Sequence, residues 1–496
     1  MKIAVLYIHN KNTMKICLIR PTTDSFFQIT PPLSLGYISS ALKAGGYEDI
    51  YMVDGALLKV SPRQAVILLE KRGLPDIVGI QVYTGAHNWT RKFIKLLKQR
   101  HPRIKTIVGG PHISALKFLA LDYTLADYGA VGEGEVLMVD FIKFLEGKIM
   151  DPTEIDGLIF KRDGQEVWPK RSHGFLTDVN KIPFPDWELL QPQNYFNFME
   201  GATTPIKGKR PAPILTSRGC PFSCTFCSSC LTSKRVMRYR TPENIVSEIR
   251  FLHEKYGIDE IFFGDDNLTM NIERANEIFD LLMKEDFKVH WCARNGIRID
   301  RLNEELVSKM AQSGGYYVGV GIETGNKDMM RWIKKSVNLD NVRPMIKLLH
   351  KYGIKVSGFF MCGLLEETEK EMHDSIKFAL SVPFDKIQVS PYTPYPGSED
   401  FEIVFEASDP EKYKKNVMLF QERGYVPRFH KMSRKNILKI QKKFVMSFYL
   451  RPQIIWAMIK DLKLSQIKAI FKHPLIANFI HGKEKSRAYE YNQSED

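Results

Sequence analysis

Four of the seven cysteines fall between positions 220 and 230, in the run Ser217-Arg-Gly-Cys220-Pro-Phe-Ser-Cys224-Thr-Phe-Cys227-Ser-Ser-Cys230. Thiolates are the natural ligands of iron–sulfur clusters, and a short loop can wrap three of them around one cubane. Cys220, Cys224 and Cys227 would supply three ligands and leave the fourth iron open. An open iron can bind and reduce a substrate, which a fully ligated electron carrier cannot do. Zinc sites prefer two separated pairs of ligands, and no second, separated pair occurs. Cys230 leaves a four-cysteine, ferredoxin-like cluster as the alternative, although the bacterial ferredoxin run is spaced differently.

Such a loop needs a frame. Pro213 opens a series of strand-like runs, Ile214–Ser217, Glu260–Phe263, Val289–Cys292, Tyr317–Gly321, Val356–Met361 and Ile387–Ser390. Helical patterns over Pro242–Tyr256, Ile272–Lys284, Asn303–Ser313, Leu339–Lys351 and Glu367–Ser381 separate them. Six such repeats make a partial (βα)6 barrel, and barrel sites gather at the C-terminal ends of the strands. The cysteine run follows the first of these strands directly. An earlier alternation has strands at Lys15–Ile19, Ile50–Val53, Asp76–Val82, Lys105–Val108 and Tyr128–Val131, which implies an α/β doubly wound parallel sheet. Its ligand-facing turns are Gly109-Gly110-Pro111-His112 and Gly132-Glu133-Gly134-Glu135. The expected organisation is therefore a first domain over 14–150, an irregular Pro- and aromatic-rich connector over 151–212, the barrel over 213–400, and a helical basic region over 401–496. Lys2–Tyr7 and Lys15–Arg20 read as two versions of one opening strand, with Met14 as the natural start.

With 496 residues, 44% hydrophobic and 26% charged, the chain has the composition of a multi-domain globular protein. No apolar run approaches the roughly 20 residues of a membrane span, and no secretory signal pattern opens the chain, so a cytoplasmic location is expected. The net charge of +14 is concentrated after residue 408, where 19 Lys and Arg face 8 Asp and Glu. The amphipathic stretch Gln453–Phe471 could pack on the barrel or lie on an anionic membrane surface, the latter making a lipid-like substrate plausible. Nucleic acid is not expected as a partner.

The cysteine run resembles the signature of the radical S-adenosylmethionine (SAM) superfamily, with Phe226 as its aromatic residue. The resemblance implies a 4Fe-4S cluster on Cys220, Cys224 and Cys227, with SAM chelating the unique iron. Reduction then yields a 5′-deoxyadenosyl radical that abstracts hydrogen from a substrate, and implies a donor of flavodoxin or ferredoxin type. Residues at successive strand ends are expected to hold SAM: Asp265 and Asp266 at its amino group, Arg294 at its carboxylate, and Glu323 near its ribose or amino group. A helix cap by Asp266 or Asn267 is the structural alternative. Cys292 and Cys362 read as small core side chains. The fifth strand ends Gly363-Leu-Leu-Glu-Glu367-Thr368, where relatives usually show Gly-Leu-Pro-Gly-Glu-Thr, so a different local backbone is expected there.

The first domain, with Pro31-Pro-Leu-Ser-Leu-Gly-Tyr37, Val108-Gly-Gly-Pro-His112 and Asp127–Glu135, looks like the cobalamin-binding domain of class B radical SAM enzymes. Pro32, Leu33, Gly110, His112, Gly132 and Glu133 are its expected corrin contacts, with His112 otherwise a plain surface histidine. Asp-x-His-x-x-Gly is absent, so no histidine is expected on cobalt. The architecture implies C-methylation of an unactivated carbon in a small-molecule or lipid-like substrate. A radical cyclase or ring-rearranging enzyme without methyl transfer is the alternative, and a non-catalytic cobalamin or electron carrier the reading from a different class.

Overall fold

A computed structural model of the chain describes residues 14–22, 29–170, 176–199, 206–229, 231, 234–405 and 432–461. Lys2–Tyr7, Cys230 and most of the basic tail lie outside the described residues. The chain divides into a unit reaching Lys442 and a second unit beginning at Lys443.

The first sheet comprises β1 (Ile16–Arg20), β2 (Ile50–Asp54), β3 (Ile77–Gln81), β4 (Lys105–Gly109), β5 (Tyr128–Ala130), β6 (Leu158–Arg162) and β7 (Gln165–Val167), in the order 2-1-3-4-5-6-7. β1 is apolar at every position from Ile16 to Ile19, and all four are buried. Cys17 and Ile19 face a core with the helices Pro62–Arg72 and His87–Arg100, while Ile16 and Leu18 face one with Leu33–Ala44 and Glu135–Leu145. An apolar run of period two buried on both faces gives a sheet with helices on both sides. The first five strands are parallel, as expected. β6 and β7 add an antiparallel hairpin in a stretch read from sequence as irregular. Only β6's Leu158–Phe160 are buried, whereas β7 is largely exposed, so the hairpin carries no periodic signal strong enough to call a strand.

The second sheet is β8 (Pro211–Ile214), β11 (Glu260–Phe263), β12 (His290–Ala293), β13 (Gly315–Glu323), β14 (Lys355–Cys362) and β15 (Lys386–Pro391), all parallel and in sequence order. Its two ends stay unjoined, which makes it the expected partial barrel. Alternation again sorts the side chains. Trp291 stacks on Phe279 of the helix Ile272–Lys284 at 4.9 Å, while Phe262 and Cys292 face the interior with Tyr316 and Tyr317. The small ribbon β9 (Ser217–Arg218) and β10 (Arg238–Tyr239) interrupts the chain between β8 and the next helix.

Pro183-Phe-Pro-Asp-Trp187 does more than connect. Asp186 accepts from Ser39 Oγ at 2.7 Å and pairs with Lys43, both on the first domain's Leu33–Ala44. The next residue, Trp187, donates its indole N–H to Glu248 of the barrel helix Pro242–Tyr256 at 3.0 Å. Glu248 is fully buried and also takes an ion pair from Arg240 at 2.5 Å. Two adjacent side chains thus fasten two domains.

The turn after β14 differs from the family's usual sequence in a readable way. Gly363 has φ +79° and Glu366 has φ +66°, so a glutamate occupies the left-handed region that ordinarily favours glycine. Buried Glu367 closes the turn, its Oε2 accepting the N–H groups of Gly363 (2.8 Å) and Leu364 (3.1 Å). Its Oε1 has no partner among the described residues. Loss of water pushes this carboxyl from 4.5 up to about 8. The folded chain therefore keeps a proton that the unfolded chain releases near pH 4.5. The resulting stability is full below pH 4.5 and declines as pH rises to about 8. Glu367→Gln is expected to remove that decline, which amounts to at most about 1.4 kcal/mol per pH unit. Denaturant midpoints across the interval check it, and an equal slope in both proteins contradicts it.

Candidate active site

The three cysteines sit on the loop that β9 and β10 close at its base. Cys220, Cys224 and Cys227 are partly exposed, whereas Cys17, Cys292 and Cys362 are buried, as a ligand-versus-core division requires. Backbone bonds hold the loop to distant parts of the barrel. Thr225 N–H donates to Ile333 O (3.1 Å), Asp400 N–H donates to Thr225 O (3.1 Å), and Cys227 N–H donates to Cys224 O (3.1 Å). Cys227 Sγ lies 3.2 Å from Ser229 Oγ. Burial pushes the Cys224 thiol up to about 11, opposed by Lys335, and raises Cys220 too, with Asp266 and Cys227 adding to the effect. Among the described residues no three His, Cys, Asp or Glu side chains converge on one ion-sized point. Three thiols on one loop are the donor set that an iron–sulfur cluster takes. Metal binding replaces the thiol protons and offsets the burial that raises them.

The four strand-end residues divide. Asp265 is buried, and its carboxylate accepts from Thr216 N–H (3.1 Å), Thr216 Oγ1 (2.8 Å) and Ser217 Oγ (2.5 Å). Its oxygens are thus engaged by the segment leading into the cysteine loop, which gives Asp265 a bracing role. Asp266 is exposed; the surrounding protein and Asp265 raise its carboxyl. Arg294 lies in the interior with its guanidinium 3.7 Å from the Phe262 ring centroid and Nε 3.3 Å from Cys292 Sγ. Glu323 ends β13 at φ +68°, next to a register shift, and pairs with Lys335 Nζ at 2.5 Å. A non-glycine residue held in the left-handed region is strained, and such residues cluster at ligand sites. Gly321 permits the pair, since a Cβ there would meet Glu323 Oε1 at 2.5 Å and Lys335 Nζ at 2.6 Å. Lys335 also stands 5.7 Å from the Phe226 ring. No spacing signal marks Lys335, which lies on a loop more than a hundred residues past the cysteines.

At the C-terminal ends of the first sheet, Pro32 precedes the helix Leu33–Ala44, with Pro32 buried and Leu33 half-buried. Gly110 takes φ +101° before the helix Pro111–Leu116, and a Cβ there would press on Val82 O at 3.0 Å. His112 is not on the surface. Proline at the first helical position starts a turn that carries it inward, where it stacks on His87 at 5.3 Å and meets Thr84 Oγ1 at 3.2 Å. Burial pushes His112 down to about 3 and His87 to about 4, so both are neutral. Gly132, at φ +91°, has open space over its Cβ position, as does Gly85. Tyr83, two residues before Gly85, is half-exposed and its hydroxyl accepts from Gln81 Nε2 at 3.2 Å; the sequence reading missed it. Glu133 pairs with Arg218 (3.0 Å) and Arg238 (2.7 Å) of the ribbon under the cysteines. Ile29 and Leu57 of the first domain pack on the barrel's interior cluster of Phe262, Cys292, Tyr316 and Tyr317. The ligand end of the first sheet therefore meets the barrel itself.

Two family models match the chain, the radical SAM superfamily over residues 214–379 and the B12 binding domain over residues 19–142. An uncharacterized methyltransferase of Pyrococcus horikoshii is 30% identical, over 90% of this chain and 95% of its own. The chain belongs to the cobalamin-binding radical SAM family. A second member, the cytidylyl-2-hydroxyethylphosphonate methyltransferase of Streptomyces wedmorensis, is also 30% identical, over 78% of this chain and 80% of its own. Among solved structures, the radical SAM methyltransferase TsrM of Kitasatospora setae, with cobalamin and a [4Fe-4S] cluster bound, shares the fold with a TM-score of 0.65 and 15% identity. That match covers 80% of this chain and 78% of TsrM. This radical SAM chain thus carries both family domains in the expected order.

Proposed function

We propose that this chain is a cobalamin-dependent radical SAM methyltransferase that adds a methyl group to an unactivated carbon of a small molecule. The observation that carries this reading is the likeness, over nearly the whole chain, to a protein named as a methyltransferase. The geometry supports it, because the ligand end of the first sheet abuts the barrel interior. The group's cofactors are a 4Fe-4S cluster, SAM and cobalamin. When bound, SAM and the cluster supply a hydrogen-abstracting radical, and cobalamin supplies the methyl group.

The chain's own residues would divide the work. Cys220, Cys224 and Cys227 hold three irons. Asp266 and Glu323 lie at strand ends near the cysteine loop, and their carboxylates suit a ligand amino group, while Arg294 suits a carboxylate. Lys335 orients Glu323 through their ion pair. Phe262, beside Arg294, belongs to a largely apolar interior cluster with Cys292, Tyr316 and Tyr317. At the ligand end of the first sheet, the open positions at Gly85 and Gly132 would receive the corrin, with no histidine needed on cobalt. Reduction of the cluster by a flavodoxin- or ferredoxin-type donor completes the scheme. No helix among the described residues is long and apolar enough to cross a membrane. The exposed Ile455 and Trp456 on the helix Pro452–Asp461 would account for any surface contact with lipid.

Anaerobic purification with added cobalamin, followed by SAM and reductant, tests the whole reading. The expected products are 5′-deoxyadenosine and S-adenosylhomocysteine, with a candidate substrate gaining about 14 Da. Loss of two hydrogens without methyl gain would make the chain a cyclase, and absence of 5′-deoxyadenosine would make it a carrier. Within this scheme, Glu323→Gln is expected to weaken SAM binding about tenfold, the loss of one charged hydrogen bond. Equilibrium dialysis with SAM, on protein that keeps its cluster absorbance, reads this directly. Unchanged affinity would leave Glu323 as no more than the partner of Lys335.

A further inference from the structure

Two arginines in register on the ribbon β9–β10, Arg218 and Arg238, are both spent on the loop after β5 of the other sheet. Arg218 donates to Glu133 Oε1 at 3.0 Å and to Glu135 Oε1 at 2.6 Å, and its guanidinium lies 4.9 Å from the Tyr37 ring centroid. Arg238 donates to Glu133 Oε2 at 2.7 Å and to Leu176 O at 2.9 Å. All four charged side chains are largely buried. Charge-assisted bonds from planar guanidinium groups fix direction as well as distance. The ribbon closes the cysteine loop, with Arg218 two residues before Cys220. The glutamates flank Gly134 in a turn at the ligand end of the first sheet.

We propose that Glu133, Glu135, Arg218 and Arg238 form a clamp that sets the separation between the cysteine loop and the corrin face. They act as positioning residues for methyl passage to cobalt and leave reductive SAM cleavage alone. This rests on the methyltransferase reading above. Cleavage at the cluster needs only the barrel, whereas methyl passage needs SAM and cobalt in register across the two domains. A displacement of about 1 Å between reacting groups costs up to about 100-fold in rate.

The test uses Arg218→Lys and Arg238→Lys, which keep the charge and lose the planar guanidinium with its direction. Wild type and variants, reconstituted with iron, sulfide and hydroxocobalamin, receive SAM and titanium(III) citrate. The expected result is unchanged cluster absorbance, 5′-deoxyadenosine within about twofold of wild type, and a fall of about 10- to 100-fold in S-adenosylhomocysteine per 5′-deoxyadenosine. A ratio equal to that of wild type, or loss of the cluster in both variants, overturns the clamp. Hydrogen exchange on the cofactor-free chain is a second measurement, independent of turnover. Faster exchange confined to residues 131–136 and 217–239 is expected in the variants, and unchanged exchange there also overturns the proposal. A wild-type chain that makes no S-adenosylhomocysteine defeats the methyltransferase reading, while the exchange measurement still decides the clamp.

Discussion

Alanine in place of Cys220, Cys224 or Cys227 is expected to strip the reconstituted protein of its visible cluster absorbance and to reduce 5′-deoxyadenosine formation to background. A cubane held by three thiolates loses a corner with each substitution, and no other described cysteine stands near enough to substitute. Cys17, Cys292 and Cys362 are buried within cores, and burial pushes the Cys292 thiol up to about 12. Cys230→Ala is expected to keep both signals, because three ligands leave the open iron that SAM requires. Iron and sulfide content per chain, with the absorbance, make the comparison quantitative. Loss of the cluster in Cys230→Ala would turn the site into a four-cysteine carrier and remove the radical chemistry.

A comparably large loss, in stability rather than turnover, is expected at the domain seam. Glu248 is fully buried with Arg240 and the Trp187 indole as its partners. Burial raises this carboxyl, while Arg240 pulls it down. Glu248→Ala leaves an arginine that is almost completely buried without its counter-charge and the indole N–H without an acceptor. Breaking a buried pair from one side costs about 3–5 kcal/mol. Replacing both members, Glu248→Leu with Arg240→Met, is expected to cost much less, since neither charge is then stranded. Denaturant midpoints of the two proteins decide the matter. A single variant that loses less than about 1 kcal/mol would mean that water reaches the pair.

The sequence carried most of the frame because its signals are periodic. Pro242–Tyr256, Ile272–Lys284 and Leu339–Lys351 have the same ends in the structure as in the sequence reading, and each has a capping residue immediately before it. Strand ends were legible for the same reason, and through them the neighbourhood of Asp265, Asp266, Arg294 and Glu323. What sequence could not supply was direction. Asp265 and Asp266 are adjacent and chemically identical, yet one is taken by Thr216 and Ser217 while the other stays open. Successive residues leaving a strand point to opposite sides, and only packing decides which side holds the ligand. Glu133 and His112 sit in glycine turns of the expected kind, but their partners, Arg218 for one and His87 for the other, are distant in sequence and left no local signal. Lys335 had no local signal at all, since its role comes from a contact across the barrel.

The cysteine loop's anchors also impose an order on the protein's birth. Cys224 rests against the carbonyl of Lys334, 110 residues further along the chain, and Thr225 bonds to Ile333 and to Asp400. A nascent chain that has emerged only as far as its cysteines can display the thiols but has nothing to shape them. The loop therefore waits for the segments that follow the fourth and sixth strands of the barrel. Phe401, next to Asp400, is itself part of the first sheet's core, so one late segment completes both. A chain truncated before Asp400 should hold its cysteine loop less firmly, and take up iron and sulfide less well, than one that reaches Lys442.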